Sequence, residues 1–479
     1  MEVGLPDKMQ TLKRQQKHRP GVGIVHLGLG AFFRAHGAIY IAEAMAKSGG
    51  DWGIFAASLK SAGTRDALAP QNYAYTALEA GPDGDSATTV EVIEQLIVAP
   101  EDPALLLSVM SDEKTKIVSL TVTEKGYCHH PASGKVNLSH PDIAHDLSHD
   151  LPRSAPGFLV RALAARHAAG LRPFTVLSCD NLPHNGALVR RVVLDLAQEI
   201  DPALARWIET EGCFPATMVD RIVPATKPED LERVATLTHT ADSSPVIHEP
   251  FRQWVVEDNF VDNARPDLAA VGVQMVQDVA PFELMKLRML NGTHSSLAYL
   301  GYLAGFKTIA QTVADPVFAQ FVQKLWREEI IPSLTAPPGT DLQQYAATLL
   351  ARYQNPAIQH LTWQIAMDGS QKLPQRLLST LDDIKAQGRT GAGLSLAVAA
   401  WMRYVGAIDE AGEAIDVRDP LAVQLKQNVE SKDAVGALLA MREVFSQSTA
   451  EYLPQTVEPA YQLLRQNGAR AAVQEYCNS

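Results

Sequence analysis

Residues 22–49 read "VGIVHLGLGAFFRAHGAIYIAEAMAKSG". The apolar run 22–27 ends in two glycines, Gly28 and Gly30, after which apolar residues recur at helical spacing until a glycine closes the segment. This is a strand, a glycine turn and a helix. Gly28 suits the tight bend of a dinucleotide-binding turn, and Gly30 lets the backbone of Ala31, Phe32 and Arg34 approach a pyrophosphate. The third glycine of that turn is replaced by Phe33.

Further apolar or β-branched runs follow: "WGIFAASL" (52–59), "TVEVIEQLIV" (89–98), "KIVSLTVTE" (116–124) and "FTVLSCDN" (174–181). Helical patterns such as "APGFLVRALAARHAAG" (155–170) lie between them. Such alternation predicts a parallel sheet covered by helices, an α/β fold of Rossmann type. Beyond residue 282 strand signals fade. Apolar-periodic segments at 314–333, 341–353, 376–388, 392–407, 432–447 and 458–475 predict a mostly α-helical C-terminal domain. The expected domains are therefore 1–282, binding dinucleotide, and 283–479, binding substrate and carrying the chemistry.

The bulk properties exclude several classes. A chain of 479 residues with 46% hydrophobic and 20% charged residues is expected to fold compactly, as two or three domains. A formal net charge of −12 argues against nucleic acid, which demands a dense basic surface. Cys128, Cys179, Cys213 and Cys477 lack CxxC spacing and suit reduced thiols. The polar first twenty residues carry no apolar secretory segment, and "GAGLSLAVAAWMRYVGAI" (391–408) is interrupted by Arg403, so it reads as a core helix and not a membrane span. A cytoplasmic protein without a membrane partner is expected. Whether it is a monomer or a homo-oligomer is open from the sequence.

"KLRMLNGTHSSLAYLG" (286–301) sets polar groups in an apolar helix. At 100° per residue Glu283, Lys286, Asn291 and His294 fall within an arc of about 140°. The continuation is too apolar for a surface helix, so the arc is expected to face an internal cleft. A desolvated lysine there is usable as a general acid or base, as a metal-free alcohol dehydrogenase requires. Asn291 is expected to polarise the reacting oxygen, His294 to orient a hydroxyl, and Glu283 to relay a proton or simply pair with the lysine. "SCDNLPHNG" (178–186) places Asn181 at the carboxyl edge of the sheet as a second amide, or as part of an Asx turn. His140, His145 and His149 in "SHPDIAHDLSHD" (139–150) read as an exposed polar segment, and no metal is expected.

These blocks, with "DALAPQNYAYT", "SLTVTEKGYC", "MVDRIVP", "EPFRQWVVEDNF" and "DGSQKLPQR", resemble in one order the polyol-specific long-chain dehydrogenase/reductase (mannitol dehydrogenase) family, from about residue 20 to the C-terminus. The resemblance implies a Rossmann-type domain, a helical domain, no metal, and Lys286 as acid/base with Asn181, Asn291 and His294 around the reacting oxygen. It adds Asp220 and Lys372 as substrate-binding positions. It departs at Phe33 and Gly37, and at Ala62 and Gly63, where NAD-using members often carry an acidic pair. NAD is the implied cofactor, with NADP left open by Lys60 and Arg65 after the second strand. Arg288, Arg252 and Gln364 resemble the fructuronate reductase branch more than the mannitol dehydrogenases. That branch implies interconversion of D-fructuronate and D-mannonate, with Arg288 and Arg252 as expected carboxylate ligands, although Arg288 lies outside the polar arc and reads equally as the partner of an acidic group between domains. A neutral polyol or ketose remains the alternative substrate, and Arg376 is placed equally well in a cleft or on the surface.

Overall fold

The computed structural model describes residues 9–17, 19–131 and 133–479. It separates into two compact units, one running up to Ala280 and the other starting at Pro281.

The N-terminal unit is built on five strands, β1 (Val22–Leu27), β2 (Gly53–Ser58), β5 (Ile93–Val98), β6 (Ile117–Leu120) and β7 (Thr175–Ser178). They pair in the order β5-β2-β1-β6-β7, every pair parallel. Taken by position among these five, the order is 3-2-1-4-5, that of a Rossmann sheet. Both faces are covered, so the strands are buried almost throughout and read in the sequence as unbroken apolar runs. Alternation still sorts them by face: Val25 and Leu27 join one core, and Ile24 the other.

Two small sheets complete this unit. A hairpin of β3 (Tyr75–Gly81) and β4 (Gly84–Val90) is extended by β9 (Val246–His248), and β8 (Thr217–Asp220) pairs antiparallel with β10 (Gln253–Glu257), itself parallel to β11 (Gln274–Val276). The hairpin is absent from the sequence-based expectation although "GPDG" (81–84) carries a turn signal.

His26 occupies a fully buried position in β1, where its imidazole bridges Ser119 Oγ (2.8 Å) and Thr121 Oγ1 (3.0 Å) and stacks on Phe33 at 3.5 Å. Burial pushes its pKa down to about 3. His248 is lowered to about 4 by burial and then by Arg221. Between the folded values and the unfolded value of 6.5, the unfolded chain binds more protons than the folded one. Stability from these histidines is therefore complete above about pH 6.5 and is lost as the pH falls toward 4 and then 3. Thermal melts should show Tm dropping between pH 7 and pH 4, and His26→Gln should flatten part of that slope while lowering Tm at pH 7. An unchanged slope in the variant would rule out His26 as a source.

Among the described residues no strand follows Val276, and the second unit is helical. The helix Ala392–Tyr404 runs through its centre and is buried on nearly all sides, with Trp401 fully enclosed, as expected for a core helix. No helix among the described residues is long and apolar enough to cross a membrane. Two expected long helices are broken. The pattern at 458–475 divides into Pro454–Asn467 and Ala469–Asn478 at Gly468, whose φ of +79° no continuous helix allows. The pattern at 432–447 holds only Ala434–Leu439, after which Met441, Val444 and Phe445 enter the core from a turn.

Candidate active site

The turn after β1 has the form its glycines predict. Gly28 has φ +89°, and a Cβ there would lie 2.3 Å from the Thr121 carbonyl oxygen, so both conformation and space restrict the position to glycine. Gly30 is exposed, and a Cβ on it would meet only the Gly28 oxygen, at 3.9 Å. The open backbone at Gly30, Ala31 and Phe32 at the start of α1 (Ala31–Ala35) fits a pyrophosphate cradle. Phe33 replaces the third glycine because its buried ring packs on His26, and the close approach is moved to Gly37, where a Cβ would sit 2.6 Å from that ring. The Arg34 side chain is engaged away from the turn. Its buried guanidinium donates to the Ser244 carbonyl (2.6 Å) and lies over the Tyr75 ring, so only its backbone belongs to the turn. After β2, Arg65 is engaged by Asp66 and Glu101, which leaves its guanidinium no open fork for a phosphate.

Asn181 is exposed just beyond β7, at the carboxyl edge of the sheet. Two neighbours that the sequence reading passed over hold the segment. Asp180 accepts from the backbone N–H of Val122 (3.0 Å) and Thr123 (2.8 Å) and from the Tyr127 hydroxyl (2.7 Å), tying the ends of β6 and β7 together. Asn185 donates to the carbonyls of Asp180 and Thr217 and accepts from the Thr217 N–H, each at 3.0 Å. Asp220 is buried at the end of β8, in register with Gln253. Arg252 is placed elsewhere than expected. Both of its terminal nitrogens donate to Glu43, at 3.0 and 2.6 Å, and the guanidinium stacks 4.2 Å above Tyr40. A substrate carboxylate would have to displace an intact bidentate pair.

In the helical unit, α5 (Ala280–Met285) runs into a π-helical turn, Lys286–Gly292, and on into α6 (Thr293–Leu303). A π turn offsets the i→i+4 ladder, and its carbonyls are taken by side chains here. Trp326 Nε1 donates to Met289 O (3.0 Å) and Thr293 Oγ1 (2.8 Å), and the Tyr353 hydroxyl donates to Leu290 O (3.0 Å). The assumed 100° spacing therefore fails across the very residues it was used to arrange. Lys286 is buried, at 7% exposure, with Asn291 and Glu283 half-buried. The lysine as a whole is thus largely removed from bulk solvent.

His294 is buried in α6, with its ring 4.7 Å from Tyr353 and 5.0 Å from His360. Burial, reinforced by the charges of His360, Arg352, Arg376 and Lys286, holds its pKa well below the ordinary imidazole value, so it is neutral near pH 7. Among the described residues no partner meets His294 Nε2 or His360 Nδ1, both buried, an arrangement that costs about 1–3 kcal/mol each unless a ligand hydroxyl meets them. Lys372 is half-buried and donates to Met367 O at 2.6 Å, and burial followed by Arg376 lowers its pKa. Arg288 is paired with an acidic group, within the helical unit and not between domains. The widened turn buries it, and its guanidinium binds Ser333 O (2.9 Å), Ser333 Oγ (3.2 Å) and the Asp383 carboxylate. That is a structural anchor within the helical unit.

Among the described residues the one group with metal-ligand composition is Cys128, His140 and Asp142, whose ligand atoms lie within 4.8 Å of one another. Its chemistry is that of a helix cap. His140 Nδ1 accepts the Asp142 N–H at 3.2 Å at the start of the helix Pro141–Ser148. His145 and His149 stack on each other at 4.1 Å.

Comparison with known proteins meets this geometry. A mannitol dehydrogenase Rossmann-domain model matches residues 22–270, and a mannitol dehydrogenase C-terminal-domain model matches 278–465. The chain is 47% identical over 464 residues to D-mannonate oxidoreductase of Escherichia coli K12, covering 94% of each. It is 39% identical over 473 residues to a mannitol 2-dehydrogenase of Pyrenophora tritici-repentis, covering 96% of this chain and 83% of that protein. Pseudomonas fluorescens mannitol 2-dehydrogenase, solved as a ternary complex with NAD and D-mannitol, is 36% identical and aligns over 98% of this chain and 97% of that one with a TM-score of 0.85. A Rossmann unit with an open glycine turn, a helical unit with a buried lysine, and two matched family models in sequence order make this chain an oxidoreductase of the mannitol dehydrogenase family.

Proposed function

We propose that the chain interconverts D-fructuronate and D-mannonate with NAD. The observation that carries this reading is the 47% identity to D-mannonate oxidoreductase across 94% of both chains, with Lys286 buried in the π turn. NAD, when bound, supplies or accepts the hydride. In reduction, the Lys286 ammonium gives its proton to the oxygen of the C5 ketone as that carbon is reduced, and a secondary alcohol results. In oxidation the neutral amine takes the hydroxyl proton back. Asn291 and Asn181 donate amide hydrogens to the same oxygen where negative charge develops. Neutral His294 orients a neighbouring hydroxyl through Nε2, Lys372 and Asp220 hold further hydroxyls, and Glu283 passes the lysine's proton to water.

The alternative, a mannitol 2-dehydrogenase or another polyol dehydrogenase, is favoured by the 39% and 36% identities to proteins of that name. Steady-state kinetics separate the two. Fructuronate should exceed fructose in kcat/KM by about tenfold or more, and NADH should be preferred to NADPH because Arg65 is already paired. A preference for fructose would sink the uronate reading.

A further inference from the structure

We propose that Arg376 is the residue that binds the carboxylate of a sugar-acid substrate and so sets the preference for acids over neutral polyols. The inference rests on the sugar-acid reading above and assigns to Arg376 the role that Arg288 and Arg252 are prevented from taking.

Arg376 lies in a second π-helical turn, Pro374–Leu378. Its backbone carbonyl rests against Gly292, where a Cβ would be only 2.7 Å away, so this turn packs directly on the end of the turn that carries Lys286. The side chain reaches toward α6: Nη1 donates to Ser295 Oγ at 3.2 Å, next in sequence to His294. Among the described residues this is the one hydrogen bond Arg376 makes, and no carboxylate pairs with it. Several other partly buried arginines are paired with carboxylates, while Arg34 and Arg166 are held by backbone carbonyls. Arg252 is held by Glu43, Arg288 by Asp383, Arg233 by Asp85 and Arg265 by Asp258.

The groups acting directly on Arg376 are cationic or neutral. The groups that act electrostatically on Arg376 are the hydroxyls of Tyr299 and Tyr353, and Arg376 in turn depresses the pKa of His294, His360 and Lys372. Asp368 and Asp419 act on Lys372 and leave Arg376 without a counter-charge. A desolvated guanidinium with no counter-ion is costly, and a ligand carboxylate compensates it with paired, charge-assisted hydrogen bonds. A neutral hydroxyl cannot match that compensation. The unpartnered nitrogens of His294 and His360 lie in the same group of side chains and suit the hydroxyls that accompany the acid.

The test is Arg376→Gln beside Arg376→Lys, in full-length enzyme with NAD. The ratio of kcat/KM for D-mannonate to that for D-mannitol should fall about 10- to 100-fold in the glutamine variant, through KM more than kcat, with partial recovery in the lysine variant. Tm and NADH affinity serve as folding controls. Equal losses on both substrates would make Arg376 a packing residue and overturn the proposal. If the wild type oxidises mannitol but not mannonate, the functional reading fails separately. Competition then decides on Arg376: inhibition of mannitol oxidation by D-gluconate that disappears in Arg376→Gln supports the carboxylate role, and absence of such inhibition in the wild type refutes it.

Discussion

Lys286→Ala should lower kcat by about 10³- to 10⁴-fold in both directions while leaving NADH affinity within about twofold of the wild type. The position is buried inside a π turn whose carbonyls are bound by Trp326 and Tyr353, so those side chains help to fix the backbone there. Removal of the side chain takes away the proposed proton carrier and leaves the residues of the glycine turn unchanged. NADH fluorescence titration and steady-state rates measure the two quantities independently. Loss of cofactor binding together with rate would mean that the variant is misfolded, which Tm would report. Retained turnover in a folded, NADH-binding variant would remove Lys286 from the chemistry altogether. Lys286→Arg sharpens the test, because guanidinium keeps the charge but does not exchange its proton near neutral pH. Its rate should stay as low as that of the alanine variant.

What the sequence disclosed depended on how local its cause was. The five central strands were legible because a parallel sheet covered on both faces needs apolar residues at nearly every position. Gly28 and Gly30 were legible because backbone conformation and access at a turn depend on the residues themselves. The identity of the polar residues near 290 was readable, but their arrangement was not. A π turn is stabilised here by Trp326 and Tyr353, which lie tens of residues downstream, and nothing within 286–292 announces them. The partners of Arg252 and Arg288 were not readable for the same reason: Glu43 and Asp383 reach them only through the fold. Arg376 is the converse case, recognisable by the absence of any such carboxylate.

Gly292→Ala should cost about 10²-fold in kcat/KM, the second-largest loss expected of a single substitution. Two effects oppose one another at this position. Its dihedral angles are helical, φ −63° and ψ −47°, so alanine gains up to about 1 kcal/mol of helix propensity. Against that, the new Cβ would lie 2.7 Å from the Arg376 carbonyl oxygen, a backbone atom that no rotamer change can move. Forcing the two π turns apart costs about 1–3 kcal/mol, so the net change in stability is small or moderately unfavourable. The kinetic effect is larger because the same displacement moves Lys286 and Arg376 relative to each other, and a misplacement of about 1 Å at a reacting group is worth about 10²-fold. The expected outcome is a folded protein with nearly normal NADH affinity, slightly lowered Tm and severely reduced turnover. A raised Tm with wild-type kinetics would show that helix propensity outweighs the contact and that the two turns are free to separate without consequence for catalysis.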